Sequence, residues 1–137
     1  MRKSKLAYIL AFFLCVAILW LIKYRINVYR SIGNVEHVEM NYGNSSIYSL
    51  DERKAASKVI IEYFRENFGN CKLYKLTYDE DITKEFMEEN SKEIIVFYGD
   101  FTTGWNMEVM NDNDDYGYSW KLEKENNQWI VKDCGQG

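Results

Sequence analysis

The chain has 137 residues, 47% of them hydrophobic and 16% aromatic, with no proline and a formal net charge of −4 at pH 7. That length leaves room for one small core beside a hydrophobic N-terminal stretch, and the absence of proline excludes a Pro-rich spacer. All 21 Asp and Glu follow residue 22, with 14 of the 17 Lys and Arg, so this part carries a net charge of −7 and is unsuited to nucleic acid or an anionic lipid surface.

Leu6 to Ile22, LAYILAFFLCVAILWLI, runs uncharged between Arg2, Lys3 and Lys5 on one side and Lys23 and Arg25 on the other. As a helix it covers roughly 25 Å, at the short end for a hydrocarbon core of ~30 Å. Tyr8, Trp20 and Tyr24 suit the headgroup boundary at its ends. A cleaved signal peptide is the competing reading, but no small-x-small site follows the apolar run, and Cys15-Val16-Ala17 lies inside it. Phe13 and Leu14 stand where small residues would precede a lipidated Cys15. Residues 1–30 therefore read as basic leader, transmembrane anchor and exit. Arg2, Lys3, Lys5 and the α-amino group nearly balance Lys23, Arg25 and Arg30, but a very short basic leader ordinarily stays in the cytoplasm. A single-pass cell-membrane protein with its C-terminal domain outside is expected.

Tyr24 to Tyr29 extends the helix, and residues 31–46 then read as a tether with a Gly-Asn turn and little to bury. His37, the only histidine, falls in this tether, without a fixed partner that would make it a catalytic base. Residues 47–137 form the expected domain. Ser49-Leu50-Asp51-Glu52 fits a capping box for a helix from about Leu50 to Phe68, with an apolar face of Ala56, Val59, Ile60, Tyr63, Phe64 and Phe68. Gly69-Asn70 is expected to end it, glycine taking the left-handed conformation. Cys71 to Tyr78 reads as a strand, Ile82 to Glu89 as a short helix with Phe86 as its apolar contact, and Glu93 to Thr102 as the strongest strand, with Gly99 marking a bulge or bend. Tyr116 to Glu125 and Gln128 to Cys134 form a hairpin around Asn126-Asn127.

A long amphipathic helix followed by antiparallel strands is satisfied when the sheet covers the helix's apolar stripe. Gly69-Asn70-Cys71-Lys72-Leu73 leading to Tyr78-Asp79-Glu80, the Ile-Ile-Val-Phe strand, Trp120-Lys121-Leu122 and the terminal Gln128-Trp129-Ile130-Val131-Lys132-Asp133 carry a resemblance. Over about residues 46 to 135 the chain resembles a bacterial family of uncharacterised lipoprotein-like and membrane-anchored domains with the cystatin-like roll of nuclear transport factor two. Members often carry an aromatic residue where Cys134 stands. The resemblance implies an α+β roll, a long helix packed on a curved antiparallel sheet of about four strands, in an extracytoplasmic setting. It implies no activity and no catalytic residues.

No cofactor motif is present. Cys71 and Cys134, 63 positions apart and without a neighbouring histidine, lack metal-ligand spacing. Whether they form a disulfide stays open, although in a simple meander they sit roughly 14 Å apart, beyond disulfide reach. Asn111 to Asp115 matches a helix-loop-helix calcium loop poorly, because Tyr116 takes a ligand position and Glu123 belongs to a strand. Asp79, Glu80 and Asp81 suit a helix N-terminus better than acid/base chemistry. Asp100 and Asp133 are better placed for a cavity carboxylate. Tyr74, Tyr98, Tyr118, Trp120 and Trp129 either line a ligand-binding sheet face or form the core against the helix, and Trp105 is either tucked over the sheet's end or exposed as a contact. The candidate ligand or partner contacts are Tyr98, Asp100, Trp105, Tyr118 and Trp120. The expected function is a non-catalytic binding or protein-interaction module, its partner an envelope protein or a small ligand. The alternatives are a small enzyme using a cavity carboxylate and a domain that stabilises a larger membrane assembly.

Overall fold

The computed structural model describes residues 2–136, and the chain divides into two compact units between Ser31 and Ile32. The first is a single helix, α1 (Arg2–Ser31), long and apolar enough to cross a membrane, with a mean hydropathy of 2.5 over its most apolar window. It continues through Tyr24 to Tyr29, as the sequence suggests, and no residue in it is buried.

The second unit contains β1 (Glu39–Asn41), α2 (Leu50–Asn67), β2 (Cys71–Tyr78), α3 (Glu80–Asn90), β3 (Ile94–Thr103), β4 (Asp115–Glu125) and β5 (Gln128–Gly135). These strands form one sheet of five in sequential order. The β2 to β5 pairs are antiparallel, as expected. The expected count of about four strands, all antiparallel, is corrected by β1, which runs parallel to β2 with Glu39 opposite Lys75, Met40 opposite Leu76 and Asn41 opposite Thr77. The tether reading of residues 31–46 is corrected with it. Asn34 bridges Lys72, and Val35, Val38, Met40 and Tyr42 pack against the core. Once paired to the β2 edge, this short stretch satisfies its backbone polar groups and buries apolar side chains.

Ser49 caps α2 by accepting the Glu52 amide N–H at 3.2 Å, but only this half of the capping box forms. The Glu52 carboxylate instead crosses to the sheet, accepting from Lys124 Nζ at 2.8 Å and Trp129 Nε1 at 3.1 Å. Ala56, Ile60 and Phe64 are fully buried. The helix closes with Phe68 N–H donating to Phe64 O at 2.9 Å, and Asn70, not Gly69, takes the left-handed conformation (φ 59°). Asparagine tolerates that region better than other non-glycine residues.

Alternation along the strands assigns the two faces of the sheet. Leu73, Leu76, Phe97, Phe101, Trp120, Leu122 and Trp129 belong to the core cluster that also contains Ala56, Ile60 and Phe64 of α2. A register shift between Leu73 and Lys75 lets Leu73 and Leu76, three apart, both face this core. Gly99 makes no bulge, since the β3–β4 register runs unbroken past it. It makes room, because a Cβ there would lie 2.6 Å from Cζ3 of Trp120. Ile94 and Val96, of opposite parity to Ile95 and Phe97, are also buried. On their side α3 continues from β2: Thr83 Oγ1 accepts the Val96 N–H at 3.0 Å, and Asp79 N–H donates to Val96 O at 3.0 Å.

Candidate binding groove

The acidic run Asp79-Glu80-Asp81 opens α3, as its position suggests, and Asp79 Oδ1 accepts the Ile82 N–H at 3.0 Å. Glu80 does more than complement the helix dipole. Its Oε2 accepts from the hydroxyls of Ser45 and Tyr78, each at 2.5 Å, and its Oε1 accepts from Ser46 N–H at 2.9 Å and Ser46 Oγ at 2.8 Å. Burial alone would raise this carboxyl's pKa, but these donors outweigh it and hold it well below the usual carboxylate range. Beside it the buried Arg53 donates through Nη1 to the carbonyls of Tyr42 and Gly43 and lies 5.5 Å from the centre of the Tyr78 ring. This constellation fastens residues 42–48 to the start of α3, and its carboxylate is occupied on both oxygens.

Along the face of the sheet that carries α3, the helix covers Ile94 and Val96 and leaves a groove beside them. The groove encloses about 340 Å³ and is lined by Ile82, Glu85 and Phe86 of α3, Val96 of β3, Ser119 and Lys121 of β4, Asp133 and Gly135 of β5, and Gln136. Ser119 lies opposite Gly135 and Lys121 opposite Asp133, so two small residues keep the wall low next to a pair of opposite charges. Lys121 Nζ stands 5.0 Å from the centre of the Phe86 ring, a cation–π distance. An apolar wall formed by Ile82, Phe86 and Val96 faces a polar one with Lys121 and Asp133. That combination accepts a flat or extended apolar group carrying a polar or charged end.

The five candidate contacts do not form one site. Tyr98 lies opposite Ser119 and Asp100 opposite Gly117, so both belong to the groove's face of the sheet. Tyr98 is 41% exposed and its ring lies against Gly117, whereas Asp100 is half-buried. Tyr74 joins this group. Burial raises its phenol pKa, and Asp115, Asp100 and Tyr98 add to the shift. Tyr118 and Trp120 occupy the other face. Tyr118 is half-buried with its ring 5.1 Å from that of Phe101, and Trp120 is fully buried, with no hydrogen-bond partner for its Nε1. Trp120 and Trp129 thus belong to the core, while Tyr74 and Tyr98 face outward. Trp105, 68% exposed, lies on the β3–β4 connection.

Of the two carboxylates considered for a cavity, Asp133 lines the groove but is exposed, and Asp100 does not line it. In the loop Asn111 to Asp115, Asp112 Oδ1 accepts the Met107 N–H at 2.7 Å and Asp114 Oδ2 accepts from Asn111 Nδ2 at 3.2 Å. Among the described residues no cluster of three or more His, Cys, Asp or Glu is placed to hold a metal ion. Cys71 and Cys134 are both free thiols. Burial pushes the Cys71 thiol up to about 11. Sequence reasoning singled out Asp133 and Phe86 but missed Ser119 and Lys121. Their parity with Gly117 in the Tyr116 to Glu123 alternation places them on one face, which was legible; that α3 stands beside that face was not. No family model, curated protein or solved structure matches the chain, so the groove is read from its own geometry.

Proposed function

We propose that this chain is a single-pass membrane protein whose extracytoplasmic domain is a cystatin-like roll that binds a ligand or a peptide segment in the groove between α3 and the sheet. The observation that carries the binding reading is the groove of about 340 Å³, with Ile82, Phe86 and Val96 on one side and the Lys121–Asp133 pair on the other. The helix α1 supports attachment to a membrane, and a long helix lying on an antiparallel meander supports the roll. Catalysis by Asp100 or Asp133 would require a buried carboxyl beside an empty cavity. Asp133 is exposed and Asp100 half-buried, so binding is the reading carried forward.

The groove is tested on the full chain in phosphatidylcholine nanodiscs with anilinonaphthalene sulfonate, an aromatic probe with one negative charge, against empty nanodiscs. Saturable fluorescence that Ser119→Trp abolishes and Lys121→Glu weakens supports the groove. Equal signals from all three proteins reject it. Orientation is tested separately by protease treatment of intact and permeabilised cells. Digestion of the domain only after permeabilisation would reverse the proposed topology.

A further inference from the structure

In the unit beginning at Ile32, two large apolar side chains are far more exposed than any others, Val109 at 95% and Trp105 at 68%. Both lie on the connection between β3 and β4. The loop is held in place by its own polar groups. Asn70 Nδ2 donates to Trp105 O at 2.7 Å, Gly104 N–H to Asn70 O at 2.7 Å, Thr103 Oγ1 to Asn111 O at 2.6 Å, and Met107 N–H to Asp112 Oδ1 at 2.7 Å. Met107 and Met110 pack against the core. A well-fastened loop that turns two apolar side chains inward and leaves its Trp and Val outside is arranged for contact.

The end of the sheet that carries this loop also receives the chain from α1. Gly33 N–H donates to Arg65 O at 2.8 Å, Asn34 N–H to Cys71 O at 2.8 Å, and Leu73 N–H to Asn34 O at 2.9 Å. Cys71 directly follows Asn70, which holds the loop. Three residues, 32 to 34, reach at most about 11 Å, so no free linker separates this end from the last turn of α1. Residues 23–31 carry the helix about 13 Å beyond its apolar run, of which the headgroup layer takes roughly 5–8 Å. Trp105 and Val109 are thus carried on the end of the sheet where the chain from α1 enters.

We infer that Trp105 and Val109 enter the headgroup layer of the bilayer that α1 crosses, docking this end of the domain on zwitterionic lipid; the inference rests on the membrane reading above. Trp suits that layer, with an apolar ring and one N–H for the polar side. Glu108, Asp112, Asp114 and Asp115 on and beside the loop give it the wrong sign for anionic headgroups. The contact is therefore apolar and insensitive to salt.

The test uses the full chain in phosphatidylcholine vesicles containing brominated lipid, which quenches tryptophan only inside the bilayer. Wild type reports Trp20 in the span. In Trp20→Phe three tryptophans remain, and with Trp120 fully buried and Trp129 at 7% exposure, lipid quenching reports Trp105. The expected result is lipid quenching in Trp20→Phe at low and high salt, its loss when Trp105→Phe is added, and a weakening with Val109→Asp. Quenching of Trp20 without quenching of Trp105 overturns this inference alone. An unquenched Trp20 overturns the membrane reading and this inference with it.

Discussion

Replacing Glu80 by alanine removes the acceptor for four hydrogen bonds that join residues 45 and 46 and Tyr78 to the start of α3. They are not equal. Ser46 is exposed, so water replaces its two bonds, and Lys84, 3.3 Å away with a side chain 48% exposed, contributes little. The bonds from Ser45 and from Tyr78, which is only 6% exposed, are sheltered and charge-assisted. At roughly 1.5 kcal/mol each, Glu80→Ala costs about 3 kcal/mol. Because the folded carboxyl titrates below its ordinary 4.5, its contribution is complete above that pH and is lost as pH falls below 4.5 toward the folded value. Urea unfolding of the full chain in detergent micelles, followed through Trp120 and Trp129 at pH 7 and pH 4, measures both effects. Glu80→Ala should lower stability at pH 7 and lose less than wild type on acidification, while Ser46→Ala should stay within ~1 kcal/mol of wild type. A Glu80→Ala loss under ~1 kcal/mol, or an acid dependence equal to that of wild type, refutes the assignment of Glu80 as the fastening of this loop.

Gly99→Ala places a Cβ 2.6 Å from Trp120 Cζ3 and 3.2 Å from Leu76 Cδ1; overpacking should cost about 1–3 kcal/mol, and Trp120→Phe in the same chain should relieve part of it, as a double-mutant cycle of urea unfolding will show. Cys71, buried with its thiol pushed up to about 11, should resist alkylation at pH 8 in the folded protein and react on unfolding, whereas the half-buried Cys134 should react before it, with peptide mass spectrometry locating the label. Asn126 and Asn127 both have positive φ, 48° and 64°, a two-residue turn that favours Asn-Gly, so Asn127→Gly should raise stability by up to about 1 kcal/mol.

What could be read from the sequence was what local chemistry decides. Ser49 before an apolar stripe marks α2, and the alternation from Tyr116 to Glu123 marks β4, because period and capping are properties of neighbouring residues. β1 escaped because its three residues bury only Met40 in part, and its pairing with β2 depends on residues more than thirty positions away. The aromatic residues were visible, but their division was not. Tyr98 follows Phe97 and so must face away from it, yet which face α2 covers depends on tertiary packing. Tyr74 is harder still, since a register shift beside it breaks the alternation. The groove could not be foreseen as a whole, because Phe86 and Lys121 meet only when α3 stands beside β4.

The stitching of residues 33–41 along β2 governs how the domain could be shed. A linker can be cut anywhere without harm to what it tethers, but here a cut between 42 and 46 would detach the edge strand from its sheet. A cut between 35 and 38 would keep β1 but sever the pairing of Asn34 with Cys71 and Leu73 from it. Gly33 is buried, and its N–H donates to Arg65, so it too belongs to the folded body. Release of an intact domain therefore requires cleavage at Ile32 or within the last turns of α1. A protease cutting within α1 would have to unwind helix to reach its bond, which leaves the exposed bend at Ile32 as the accessible bond between the two units.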